Sequence, residues 1–192
     1  MKHTIFLLAV ATVIACAGPA PSPDTNTDTN TNTSTPTPAD TKKATLSQRC
    51  TNAQYGISVS YPEGWHTNDG SVLPACSVFD PAPIDIPRNS ELPFDLAVVL
   101  RVETDPVEQL TRSSQWERVL ATSQRTIGGR VVTRVEVEAT GEGLADRGMR
   151  SLRYVVDLGG GRSLVASTHA TDDAYEENKQ TLERIVESIA VN

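Results

Sequence analysis

The sequence predicts an α+β domain, with a central antiparallel β-sheet and helices packed on its faces. Three observations indicate this class. Several segments after residue 50 alternate apolar and polar residues, the pattern of strands with one buried face. Two of these segments are separated by little more than the glycines 159–161, as in a tight hairpin. The chain then enters a segment whose apolar residues recur at helical spacing.

The first predicted strands lie between residues 55 and 103. Residues 55–61 alternate apolar side chains and end at a Pro-Glu-Gly turn. Residues 76–79 form a short strand, and four prolines make the following stretch, 80–93, an irregular loop. The next strand, 94–103, is long. Its inward side chains are Phe94, Leu96, Val98, Leu100 and Val102.

Residues 105–120 are predicted to form a helix. Asp105 suits the N-cap and Pro106 the first helical position, while Glu108 stands where a capping box places its glutamate. A short strand over 123–127 follows. These signals favour one helix between the third and fourth strands.

A glycine pair at 128–129 turns the chain into a strand over 130–138, with Val131, Val135 and Val137 facing inward. This strand precedes the hairpin described above.

The hairpin pairs residues 152–158 with residues 163–168, and its glycines permit the positive φ of a tight turn. A final helix begins near Asp172 and leaves charged residues facing water. Its inner stripe consists of Tyr175, Asn178, Leu182, Ile185, Val186 and Ile189.

The composition excludes some classes of partner. The 192 residues carry a formal net charge of −7 and a sequence pI of about 4.9. Nucleic-acid binding requires clustered Lys and Arg, so nucleic acid is not an expected partner. The same balance disfavours electrostatic docking to anionic lipid. Aromatic residues make up 5% of the chain, which disfavours a large stacking surface.

The N-terminus predicts a lipoprotein signal peptide over residues 1–15. A short polar region precedes an apolar run that is too short to span a bilayer. The run ends in Val13-Ile14-Ala15-Cys16, which resembles the bacterial lipobox. Cys16 is therefore the expected lipidation site, with two or more acyl chains giving stable anchoring. The alternative is an ordinary signal cleaved near Ala15, with Cys16 incidental.

Residues 16–45 are predicted to be the lipidated cysteine and a disordered tether, and residues 46–192 the globular domain. The tether is rich in Thr, Asn and Pro and has almost no large apolar residue, so it has little surface to bury. It is expected to be a spacer, with O-glycosylation as an alternative. The expected location is the cell membrane or outer membrane, lipid-anchored, with the domain on the extracytoplasmic side.

If Cys16 carries lipid, Cys50 and Cys76 remain as a pair in an oxidising compartment, which predicts a disulfide. A zinc site with His66 and His169 is the alternative. Its spacings match no compact zinc motif, so the disulfide is favoured.

Three segments resemble the PsbP-like family, whose plant founder is an extrinsic subunit of photosystem II. They are Tyr-Gly-Ile-Ser-Val-Ser-Tyr-Pro-Glu-Gly-Trp at 55–65, Ile-Gly-Gly-Arg at 127–130, and the hairpin with the helix over 175–189. The resemblance implies an α/β/α sandwich and no enzymatic activity. Bacterial relatives are commonly secreted or lipid-anchored. The photosynthetic role is not carried over, because a lipobox and a tether are typical of cell-envelope proteins.

No catalytic or cofactor site is predicted. His169 and the glycines 159–161 lack the companions of a hydrolase or a P-loop. The sequence therefore favours a non-catalytic binding or accessory protein for a small molecule, a glycan or an envelope protein. The alternative is an envelope hydrolase with an unrecognised site. The polar loops 80–93 and 140–146 are the expected binding elements, because binding residues concentrate on loops held by a rigid scaffold.

Overall fold

A computed structural model describes residues 45–90 and 92–191. The predicted signal peptide, Cys16 and nearly all of the predicted tether lie outside the described residues. In chain order the strands are β1 (Leu46–Asn52), β2 (Ile57–Pro62), β3 (His66–Thr67), β4 (Val78–Asp80), β5 (Val98–Glu103), β6 (Glu117–Ile127), β7 (Arg130–Ala139), β8 (Arg150–Gly159), β9 (Arg162–His169) and β10 (Ala190–Val191), and the helices are α1 (Val107–Leu110) and α2 (Tyr175–Glu187).

The strands form two antiparallel sheets. The large sheet has seven strands in the order β3-β4-β5-β9-β8-β7-β6. The small sheet has three strands in the order β1-β2-β10. Together with α1 and α2 they confirm the predicted α+β class with an antiparallel sheet at its centre.

One face of the large sheet, here called the core face, is turned toward β2 and α2 and carries the main hydrophobic core. The register places Leu100, Ala166 and Tyr154 side by side on three neighbouring strands of this face. The buried residues of the core are Ile57, Val59, Cys76, Phe79, Val98, Leu100, Val132, Leu152, Tyr154, Val156, Leu158, Leu164, Ala166, Leu182, Ile185 and Val186. This core joins both sheets and α2 in one packed unit.

The opposite face of the large sheet, here called the loop face, is also buried along its centre. Val155 of β8 lies on it and is fully buried. The segments on either side of β5 cover this face. The Ser163 hydroxyl donates to the Asp105 carbonyl at 3.1 Å, and Phe94 packs on His169. The central strands are therefore buried on both faces, and the loop face includes polar side chains such as Ser163 and Ser167.

The helix predicted over residues 105–120 is wrong. Helix α1 has a single turn, and Pro106 occupies its N-cap without a side-chain capping bond. Strand β6 takes up the end of that segment and pairs with β7 from Glu117 to Ile127. A long ladder of backbone hydrogen bonds outweighs local capping signals, which stabilise a helix by about 0.5–2 kcal/mol.

Other element boundaries also differ from the predicted ones. Strand β5 begins at Val98, and Phe94 is 38% exposed. Val131 was expected to face inward but is 56% exposed; it shares a face with the buried Val135 and Val137 and lies at the start of β7, next to the 128–129 turn. Strands β1, β3 and β10 were not predicted. The latter two have two residues each, too few for an alternating pattern.

The predicted hairpin and final helix are confirmed. The glycines at 159–161 all have positive φ, and β8 and β9 pair from Ser151–His169 to Gly159–Arg162. Arg125 of β6 holds α2 to the sheet through Glu183 at 2.6 Å and Glu187 at 3.3 Å. Within the described ranges no helix is both long and apolar enough to cross a bilayer.

Candidate functional site

A cavity of about 240 Å³ opens between the small sheet and the core face of the large sheet. We call it the inter-sheet pocket. Its strand residues are Ile57 and Val59 of β2, Leu100 to Glu103 of β5, and Leu164 of β9. The other lining residues are Asn52, the last residue of β1, and Tyr55, Leu73, Pro74, Cys76, Ser77 and Leu92, which lie outside the strands. Most of these side chains are apolar, so the pocket suits an apolar group.

The predicted disulfide forms one wall of this pocket. The structure joins Cys50 of β1 to Cys76, with 5.8 Å between their Cα atoms. Cys76 has φ 64°, the left-handed region that residues with a Cβ rarely adopt. The bridge and this conformation carry the chain from β4 toward β1. The wall therefore has a covalently fixed position.

The pocket exists because β4 is shorter than β5. Strand β4 pairs with β5 only at Val98 and Val99, and Ser77 adds one bond by accepting from the Leu100 N–H at 2.7 Å. Before Ser77 the chain turns away at Cys76. The later part of β5 therefore borders open space instead of another strand.

Arg101 and Glu103 border the pocket with the backbone of β5, while the register places their side chains on the loop face, opposite Val165 and Ser163. Arg101 and Glu103 form an ion pair of 3.7 Å, with 56% and 34% of their side chains exposed. Such an exposed pair is worth about 0–1 kcal/mol, so its members are available to other partners.

Asn52 fixes the inner end of the pocket. Its side-chain amide donates to the Ala75 carbonyl at 2.8 Å, and its Oδ1 accepts from the Tyr55 N–H at 3.2 Å. These bonds tie the turn between β1 and β2 to the segment that carries Cys76. The walls are held by hydrogen bonds as well as by the disulfide, so little ordering is needed before a ligand enters.

The alternative zinc site conflicts with this geometry. Cys50 and Cys76 are bonded to each other and are not free thiolates. His66 lies on β3, while His169 lies at the end of β9 on the loop face. Among the described residues no cluster of three or more His, Cys, Asp or Glu side chains is arranged to hold a metal ion.

His169 is largely buried and uncharged near neutral pH. Burial lowers the pKa of its imidazole below the ordinary 6.5, and the positive charges of Arg101 and Arg153 lower it further, while Glu117 raises it. Its Nδ1 is buried and has no hydrogen-bond partner among the described residues. In the ranges the structure describes, no serine or cysteine bonds to this ring, so the arrangement does not form a nucleophile–base pair.

The two loops expected to bind have different positions. The proline loop, residues 80–93, supplies Leu92 to the inter-sheet pocket. The 140–146 loop supplies no lining residue, and Gly143 lies against Trp116 instead. Sequence reasoning assigned the strand residues of the pocket to the core alone. The sequence feature that could have indicated the pocket is the short predicted strand 76–79, which precedes the long predicted strand 94–103.

Comparison with known proteins found similar chains among the solved structures but not among family models or curated proteins. No family model matches the chain. No curated protein matches it either. The solution structure of cyanobacterial PsbP (CyanoP) from Synechocystis sp. PCC 6803 is similar, with 15% sequence identity and a TM-score of 0.46. The match covers 76% of this chain and 92% of that chain.

Proposed function

We propose that this chain is a lipid-anchored protein of the cell envelope that binds an apolar group in the inter-sheet pocket and performs no reaction on it. The observation that carries the proposal is the pocket itself. It measures about 240 Å³ and lies between two sheets, with an apolar lining that includes Ile57, Leu100 and Leu164.

The size of the pocket limits what it accepts. Sites for drug-sized ligands measure roughly 300–1,000 Å³. At about 240 Å³ the inter-sheet pocket suits one ring or a short alkyl group belonging to a larger ligand. Each Å² of apolar surface buried there contributes about 25 cal/mol. Because strands and a disulfide hold the walls, little binding energy is lost to ordering the protein.

The chemistry of the lining favours binding over catalysis. The charged residues that line the described pocket are Arg101 and Glu103, and their side chains pair with each other on the loop face of β5, away from the pocket interior. General acid–base catalysis needs a titrating group aimed at the reacting atom. His169, the imidazole with the lowered pKa, does not line the pocket.

The location in the envelope rests on two features. The lipobox ending in Cys16 supports lipid anchoring. The disulfide between Cys50 and Cys76 supports an oxidising compartment, because such bonds persist outside the cytosol. In this proposal the tether holds the pocket away from the lipid surface.

The proposal is tested with a neutral apolar dye, N-phenyl-1-naphthylamine. The experiment uses the chain from residue 17 onward, which carries no lipid and therefore needs no detergent whose micelles would take up the dye. This chain is exported to an oxidising compartment so that the disulfide can form. The dye should fluoresce more strongly with the parent protein than in buffer alone. Val102→Phe should suppress this increase, because the larger side chain fills the pocket. Val131→Phe is the matched control, since Val131 lies on β7 and is 56% exposed.

Two results would contradict the proposal. One is an equal fluorescence increase with the parent and with folded Val102→Phe. The other is turnover in a hydrolase screen that a single side-chain change abolishes, which would support the alternative of an envelope hydrolase.

A further inference from the structure

Strand β5 has one paired edge and one partly open edge. Strand β9 pairs with it from Val99 to Glu103. On the other side β4 pairs only with Val98 and Val99, and the last strand-to-strand bond runs from the Leu100 N–H to Ser77. Among the described residues, the segment after Leu100 therefore has a neighbouring strand on one side only.

The open edge presents specific backbone groups. Backbone groups alternate along a strand, so the N–H and C=O of Val102 point to the same side as the N–H of Leu100. Among the described residues no backbone bond reaches Val102 from that side. The N–H of Ser77 bonds to the side chain of Asn68 at 2.8 Å instead of extending the ladder. An open strand edge of this kind is a template for another extended chain.

The protein's own chain is kept out of this gap. The residue before Ser77 is Cys76, whose left-handed backbone and bond to Cys50 lead the chain toward β1. The continuation of β4 alongside β5 is thus prevented by a covalent bond.

We infer that the ligand of the inter-sheet pocket is an extended peptide segment, which adds as an antiparallel strand beside residues 101–103 of β5. This inference rests on the proposed function, because it uses the same pocket. The peptide residue opposite Val102 exchanges two hydrogen bonds with it. Directly opposite side chains lie on the same face of a sheet, so that residue directs its side chain into the pocket beside Leu100 and Leu164. Strand addition of this type takes affinity from the backbone and specificity from alternate side-chain pockets.

The charges of Arg101 and Glu103, whose side chains lie on the loop face of the same strand edge, define the neighbouring peptide residues. In an antiparallel strand the residue before the apolar one lies opposite Glu103, and the residue after it lies opposite Arg101. A basic residue in the first position and an acidic residue in the second pair favourably with these side chains. The inferred motif is therefore basic–apolar–acidic, with an apolar side chain as large as Leu or Phe.

The test uses a fluorescent peptide, Thr-Lys-Phe-Glu-Thr with blocked ends, and the lipid-free chain from residue 17 onward. The peptide should bind and displace N-phenyl-1-naphthylamine. Methylation of the phenylalanine backbone nitrogen, which removes the N–H that donates to Val102, should weaken binding at least tenfold. Replacement of Phe by Ser should do the same, and Thr-Glu-Phe-Lys-Thr, with the charges reversed, should bind several-fold more weakly.

Variants of the protein test the pocket and the open edge, both of which Val102 borders. Val102→Phe should lose both dye and peptide. Val102→Pro removes an N–H outside the β9 ladder and should lose the peptide, with circular dichroism and urea unfolding reporting that the variant is folded. The methylated peptide separates the edge from the pocket on the unchanged protein, since it keeps the phenylalanine side chain and lacks only the backbone N–H. Dye binding without displacement by any of the peptides would overturn the strand inference and leave the proposed pocket standing, whereas absence of dye binding to the parent would overturn both. Equal affinity for the methylated and unmethylated peptides, or tighter binding of the charge-reversed peptide, would also overturn the antiparallel strand.

Discussion

The ring of Phe94 stands edge-on to the imidazole of His169, with 5.4 Å between the ring centroids and 80° between the ring planes. Phe94 directly follows the proline loop, and His169 ends β9 on the loop face. This contact fixes the loop to the sheet through an uncharged imidazole. Protonation would add a cation to a site that already faces Arg101 and Arg153, whose charges Glu117 partly opposes.

We expect the stability of the domain to fall as the pH drops below about 6.5. The pKa of His169 in the folded protein lies below its ordinary 6.5, mainly because of burial. The unfolded chain then binds the proton more readily, so this contribution is complete above pH 6.5 and is lost as the pH falls through the lower, folded pKa. Urea unfolding from pH 7.5 to 4.5 measures it. His169→Gln should flatten the profile relative to the parent, with His66→Gln as the control; equal flattening by both variants would assign the dependence to other groups.

Replacing Cys50 and Cys76 by serine should lower the free energy of unfolding by about 2–5 kcal/mol. The bridge closes a loop with a sequence separation of 26, so its loss frees the unfolded chain. Urea unfolding should give the same free energy of unfolding for the double variant and for the reduced parent, because both lack the same bond. Intact mass after thiol alkylation checks the starting material, and two free thiols in envelope-derived protein would contradict the prediction.

Leu182→Ala should destabilise the domain by about 2–5 kcal/mol. Leu182 lies at the centre of α2 and is fully buried against the core face, so truncation leaves a cavity. Leu144→Ala is the matched control: Leu144 is 76% exposed, and its truncation should change stability by less than about 0.5 kcal/mol. Thermal or urea unfolding compares them, and equal effects would be inconsistent with the described packing.

Cys16→Ala should release the protein from the membrane fraction. The prediction follows from the lipobox, in which Cys16 accepts the lipid. Cell fractionation measures the distribution, and mass spectrometry of the mature parent should show acyl chains. The lipid anchor would be excluded if the variant were as membrane-associated as the parent and the mature parent carried no acyl chains.

The elements that sequence reasoning located are those whose signals are local. The hairpin glycines require positive φ, and the α2 stripe around Leu182 repeats at helical spacing, so both were predictable without a partner. The segment 105–120 also has local capping signals, yet Glu117 and the residues after it pair with β7. That outcome depends on a strand farther along the chain, which local signals do not report.

The inter-sheet pocket was harder to predict for the same reason. Its lining comes from segments far apart in sequence, such as Ile57, Leu92 and Leu164. Alternation places Val102 on an inner face whether a neighbour or a cavity lies beyond it. The disulfide partners were predictable because two cysteines remain once Cys16 is assigned to the lipid. The diversion of the chain away from β5 at Cys76 was not predictable, because it depends on a backbone angle.

The pairing of β2 has a consequence for the order of folding. Ile57 of β2 pairs with Val191 of β10, and the Ser60 N–H donates to the Ser188 hydroxyl, 128 residues farther along the chain. Contacts between such distant residues form slowly, because closing the long loop costs conformational entropy before the contacts that offset this cost can form. The small sheet is therefore completed only when the segment after α2 becomes available. For a chain exported in an unfolded state, this topology delays closure of the domain until translocation has passed β10.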